Sequence, residues 1–168
     1  MLKTNHFATR ICEGKFNKVE LEAPIDYWMQ TNEWLGKNTN GMGPDCWYVN
    51  IFSSKMRNQL LLLDVKEAAV IHDYMYGVKH EGWSLKQHLE YKKFADEMFL
   101  SNLYTIINDN HNKELQKVRW FKWLQVWFIN MRYEARNESA LGLFYLVQSQ
   151  EGDQAFLKNK DLKGIRDE

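Results

Sequence analysis

The chain has 168 residues, 45% of them apolar, enough to bury a core within one domain without structural metals or disulfides. Its 22 basic residues balance 22 acidic ones, so no global field draws in a polyanion, and no specific nucleic-acid partner is expected. Two cysteines, Cys12 and Cys46, are too few for a disulfide framework and suit a reducing compartment. No apolar run reaches the ~18 residues of a membrane span, and the first residues lack the apolar core of a secretory signal, so a soluble domain spanning residues 1–168 is the expectation.

Residues 1–35 show no sustained helical period and read as an irregular segment. Within it, Phe16 to Glu22 alternates apolar with polar residues, as a short strand does, until Pro24 interrupts. Residues 36–62 read as a Gly-rich loop and connector. Gly36 to Asp45 is dense in residues that tolerate unusual backbone angles, and it includes Gly41 and Gly43. A helix pair follows over residues 63–109. In its first member Val65, Ala68, Ala69, Met75 and Tyr76 recur at helical spacing, with Asp64 placed to cap the start and Gly77 to end it. Ser84 and Gln87 then form a capping-box pattern that opens a second helix of about 24 residues. Its stripe runs Leu85, His88, Leu89, Lys92, Ala95, Asp96, Phe99, Leu103 and Ile107.

Asn108 to Asn112 is a cluster of turn formers, and a long third helix is expected over residues 113–150, bent near Gly142 and stopped at Gly152-Asp153. Residues 151–168 read as a charged tail. The expected fold is therefore mainly α: two antiparallel helices, a long C-terminal helix and an irregular N-terminal region with a short strand.

Two stripe positions do not suit a simple core, His72 on the first helix and Asp96 on the second. An ionised carboxylate buried without a partner costs several kcal/mol, so Asp96 needs a donor, and His72 is the obvious one if the two stripes pack together. The aspartate would fix the imidazole tautomer and leave its second nitrogen as a base. Tyr76, one turn beyond His72, is placed to donate a second hydrogen bond to Asp96. Asp73, rotated by about 100° from His72, points toward a neighbouring face where it can hold a cation. Calcium would need further oxygens, which the backbone carbonyls of Gly41 and Gly43 could supply. The same three side chains can equally serve as a polar bridge that sets helix register and does no chemistry.

The run from Ala68 to Tyr76 resembles the active-site helix of the phospholipase A2 family, with its His-Asp-x-x-Tyr motif matched by His72, Asp73 and Tyr76, and Ala95-Asp96 resembles that family's partner helix. The resemblance implies His72 as the base that activates water, Asp96 as its orienter with Tyr76 as a ligand of Asp96, and Asp73 as a calcium ligand. It also implies a phospholipid or membrane interface as substrate. The Asn40 to Pro44 loop, the Ile71 to Tyr76 helix and the Ala95 to Phe99 helix are likewise similar, in order, to segments of small phage and prophage proteins of unknown function. That likeness implies action in the host cytoplasm or in a virion. The cysteine lattice of the secreted phospholipases is missing.

Two other readings stand beside the hydrolase. One is a non-catalytic phage structural or host-interaction protein on the same fold, and the other is a metal-dependent phosphohydrolase, which shares a His-Asp doublet but gathers further histidines. The aromatics from Trp120 to Phe128, set among Lys117, Arg119, Lys122 and Arg132, suit a membrane interface or base stacking. They suit equally a helix packed between elements or subunits, as in a homo-oligomer or on a virion partner. Cys46 has no evident activating base.

Overall fold

The structure is a computed structural model that describes residues 7–13, 18–39, 63, 65–78, 80, 82–120 and 122–158. It is mainly helical with a small two-stranded antiparallel sheet at the N-terminus. The described elements are β1 (Phe7–Glu13), β2 (Lys18–Pro24), α1 (Ile25–Trp28), α2 (Asn32–Asn38), α3 (Lys66–Gly77), α4 (Leu85–Gln116), α5 (Lys122–Val147) and α6 (Gln150–Leu157).

The N-terminal region is thus more ordered than its lack of helical period suggests. The alternating strand is present, ending at Pro24, and every second residue, Val19, Leu21 and Ala23, is buried. Its partner β1 pairs with it from Phe7↔Pro24 to Glu13↔Lys18 and was not anticipated, because β1 hides its core contacts behind a mixed polar pattern. Gly36, expected in a loop, lies inside α2, a helix opened by Thr31, whose side chain accepts from the Trp34 N–H. Gly41, Gly43, Cys46 and Asp64 lie outside the described residues.

The hairpin and the α1 turn that follows it are tied to each other and to the long helices by three buried or half-buried links. Tyr27 donates to Glu67 on α3. The Trp28 indole donates to the Ala8 carbonyl at 2.9 Å. Asn102, buried in the middle of α4, accepts from the Glu22 N–H at 2.9 Å and donates to the Glu22 carbonyl at 2.8 Å, so its amide acts as a one-residue strand neighbour of β2. Asn102→Ala leaves both backbone groups without a partner, and an expected loss of about 2 kcal/mol follows, readable as a lower urea midpoint with unchanged slope. Cys12 on β1 is half-buried, and burial, with Glu67 nearby, pushes its thiol pKa up to about 11, which keeps it a poor nucleophile at neutral pH.

The long helices depart from the sequence expectation at their ends. α3 begins at Lys66 with no side-chain cap, and Gly77 is its last helical residue rather than a left-handed stop. The capping box at Ser84 and Gln87 is present, but α4 runs for 32 residues, straight through the turn formers Asn108 to Asn112. The reason is tertiary: Tyr133 of α5 donates to Asn108 at 2.8 Å, His111 packs on the Tyr133 ring, and Arg132 and Arg136 both bond Glu114. Partners on a neighbouring helix outweigh weak local propensity. The chain then turns, so the expected helix over residues 113–150 is in fact the end of α4, a connection, and α5. Gly142 lies inside α5. Gly152 and Asp153 do not stop that helix but sit in a separate one, α6, which Ser149 caps by accepting from the Gly152 N–H.

Most of the core is one cluster. It joins the inner face of β2, nearly every side of α3, a broad face of α4, the second half of α5 and Phe156 of α6. α3 is short and buried almost all round, from Ala68 through Met75, so it is the element that the others enclose.

Candidate functional site

α3 and α4 bring His72, Tyr76 and Asp96 together. Asp96 is wholly buried and His72 is 2% exposed. The His72 Nε2–H donates to Asp96 Oδ1 at 2.8 Å, and the Tyr76 hydroxyl donates to the same oxygen at 2.6 Å. The i, i+4 spacing of His72 and Tyr76 places the two rings on one face of α3, with centroids 4.2 Å apart and planes tilted by 44°. Phe99, one turn beyond Asp96 on α4, stacks on the far side of the imidazole at 4.6 Å, and Phe156 of α6 meets the Tyr76 ring edge-on. The imidazole is therefore held by two rings and one carboxylate, with little rotational freedom.

The hydrogen bond at Nε2 decides what the other nitrogen can do. A neutral imidazole that donates from Nε2 carries its lone pair on Nδ1. In His72 that Nδ1 is buried and has no hydrogen-bond partner among the described residues.

Lys92 completes the site, and sequence reasoning assigned it no role. It lies one turn before Asp96 on α4, its side chain only 4% exposed, and its ammonium donates to Asp96 Oδ2 at 2.8 Å. The same ammonium donates to the Val147 carbonyl at the end of α5 at 2.6 Å and pairs with Asp153 of α6 at 3.1 Å. The ammonium thus has partners on α4, α5 and α6, and Asp96 accepts from three donors. The signal was present in the sequence, since a lysine on an apolar stripe four residues before a buried aspartate makes an i, i+4 pair. Asp153 was not legible, because its place depends on the turn that starts α6. A shallow open cleft lies on this side of Asp96, lined by Leu89, Lys92, Lys93, Asp96, Gln148 and Asp153.

Asp73 follows His72 on α3 and is half-buried. Among the described residues no group of three or more histidines, cysteines or acidic side chains could hold a metal ion. Calcium takes six to eight oxygens, and the companions expected for Asp73, the carbonyls of Gly41 and Gly43, lie outside the described residues. Among the described residues no helix is long and apolar enough to cross a membrane. No protein-family model matches the chain, and neither a curated protein nor a solved structure shows significant similarity to it.

Proposed function

We propose that the chain is a phospholipase A2-like hydrolase of lipid esters in which His72 is the general base and Asp96 and Tyr76 are its positioning residues. One observation carries this reading: Asp96 pins Nε2 of His72, which leaves the lone pair on a buried Nδ1 that no described residue bonds. A general base needs a lone pair that no protein donor already uses, and Nδ1 is the nitrogen that keeps one. A water held at Nδ1 gives its proton to the lone pair as its oxygen attacks the ester carbonyl, and the imidazolium so formed is stabilised by Asp96 across the 2.8 Å hydrogen bond. Protonation of the departing alkoxide from Nδ1 returns His72 to its starting state. Lys92 keeps the Asp96 charge in place through the cycle by holding the second carboxylate oxygen. Calcium beside Asp73 belongs to the same reading.

The test is hydrolysis of phospholipid vesicles, with and without calcium, by the wild type and by His72→Gln. Glutamine retains a donor for Asp96 but has no basic nitrogen, so the rate is expected to fall on the order of 10³-fold while the melting temperature changes little. An inactive wild type, or a His72→Gln variant of full activity, rejects the hydrolase.

A second reading has its own observation. With Lys92 satisfied by Asp96, Val147 and Asp153, the network ties α3, α4, α5 and α6 at one buried point, as a non-catalytic interaction protein would require to fix its helices. It predicts no hydrolysis, with His72→Gln altering stability alone.

A further inference from the structure

α5 has two unlike halves. Its second half packs on α4, with Arg136, Ser139, Ala140, Leu143 and Val147 buried. In its first half only Ile129 is buried, while a stripe of large apolar side chains faces solvent. Trp120, Trp123, Leu124, Trp127, Phe128 and Met131 stand at i, i+3, i+4, i+7, i+8 and i+11, so they share one helix face and the turn leading into it. Trp120 is 78% exposed and Trp123 75%. Scattered exposed apolar residues are ordinary, but a contiguous aromatic stripe of this length marks a surface that something covers.

The charges around the stripe select what that is. Although the whole chain is charge-balanced, Leu115 to Tyr133 holds four basic residues and no acidic one. Arg132 is compensated by Glu114 at 2.9 Å. Lys117, Arg119 and Lys122 are exposed and have no acidic partner among the described residues. They sit at the tip where α4 turns into α5, beside Trp120 and Trp123. A two-fold pairing of this tip with a second copy would concentrate those cations at one interface. Tryptophan and phenylalanine flanked by lysine and arginine, without acids, is the composition of a helix that lies in the headgroup region of an anionic bilayer.

We propose that the α4–α5 tip docks the protein on anionic membranes, the aromatic stripe entering the headgroup region and Lys117, Arg119 and Lys122 pairing with lipid phosphates. The tip lies roughly 30 Å along α4 from Asp96, taking the α-helical rise per residue, so it anchors the molecule and does not frame the His72 site. The inference is carried by α5 and its connection alone and stands without the hydrolase.

Co-sedimentation of the full chain with ether-linked phosphatidylglycerol and phosphatidylcholine vesicles tests it, since ether lipids separate binding from hydrolysis. Binding is expected with the anionic vesicles and at least about tenfold weaker with phosphatidylcholine alone. Trp123→Ser/Trp127→Ser, both at exposed positions, is expected to weaken binding at least about tenfold at an unchanged melting temperature. Lys117→Gln/Arg119→Gln/Lys122→Gln is a second probe, expected to weaken it by about fivefold per cation removed and to flatten its salt dependence. Failure to sediment with anionic vesicles, or equal binding by both variants, overturns the proposal. So does a dimer in sedimentation velocity that the tryptophan substitutions dissociate, which would assign the stripe to a second copy.

Discussion

Asp96→Ala is expected to cost about 3–5 kcal/mol of folding stability, a large share of the roughly 5–15 kcal/mol that a single domain possesses. The aspartate accepts from His72, Tyr76 and Lys92, and all three donors are buried or half-buried, so its removal strands them together. The lysine dominates. A buried ammonium that loses its nearest counter-charge retains only the Val147 carbonyl and the more exposed Asp153. Asp96→Asn separates the contributions, because the amide oxygen can still accept from His72 and Tyr76 while the charge opposite Lys92 is gone. The double variant Lys92→Met/Asp96→Asn is expected to be more stable than the sum of its single variants predicts, by about 1–3 kcal/mol, since removing both charges leaves neither unpaired. Urea unfolding of the four proteins closes the cycle. Additive losses would mean that Lys92 and Asp96 do not interact as their 2.8 Å separation implies.

Gly152→Ala is expected to cost about 3 kcal/mol or to detach α6, although alanine is the better helix former by about 1 kcal/mol. A Cβ at this position would stand 1.9 Å from the Val147 carbonyl oxygen and 2.7 Å from its carbon. These are backbone atoms and cannot rotate away. The same oxygen accepts from Lys92, so a shift of α6 that relieves the clash also pulls on the buried network, and Asp153 moves with it. Loss of α6 would further uncover Phe156, which is 1% exposed and rests on Tyr76. The measurement is thermal unfolding with hydrogen exchange across residues 149–158. Full protection of α6 at wild-type stability would show that the α5–α6 turn opens far enough to admit a methyl group.

The site was legible in the sequence to the extent that it obeys helical spacing. His72 and Tyr76 lie one turn apart, Asp96 interrupts an otherwise apolar stripe, and a buried carboxylate demands a donor, so the meeting of these three residues followed from local periodicity and one desolvation argument. Lys92 stood in the same stripe, yet its role depended on acceptors brought from α5 and α6, which no local pattern indicates. Nor does spacing say whether His72 has a function beyond packing, because both uses of the dyad require the same geometry at Nε2.

What the sequence determined alone is what depends on neighbours within one or two helical turns: the helical class, the Ser84 and Gln87 capping box, the alternation of β2, the shared face of His72 and Tyr76, and the place of Asp96 in an apolar stripe. What only the tertiary structure decided is where the long helices end and how the N-terminal strands attach. Asn108 to Asn112 are helical because Tyr133, Arg132 and Arg136 supply partners from another helix. β2 is held on α4 because one amide, Asn102, satisfies both backbone groups of Glu22 from 80 residues away. Residues with weak intrinsic preferences take the conformation in which distant groups meet their hydrogen-bonding and burial needs, and such groups become neighbours only once the chain has folded.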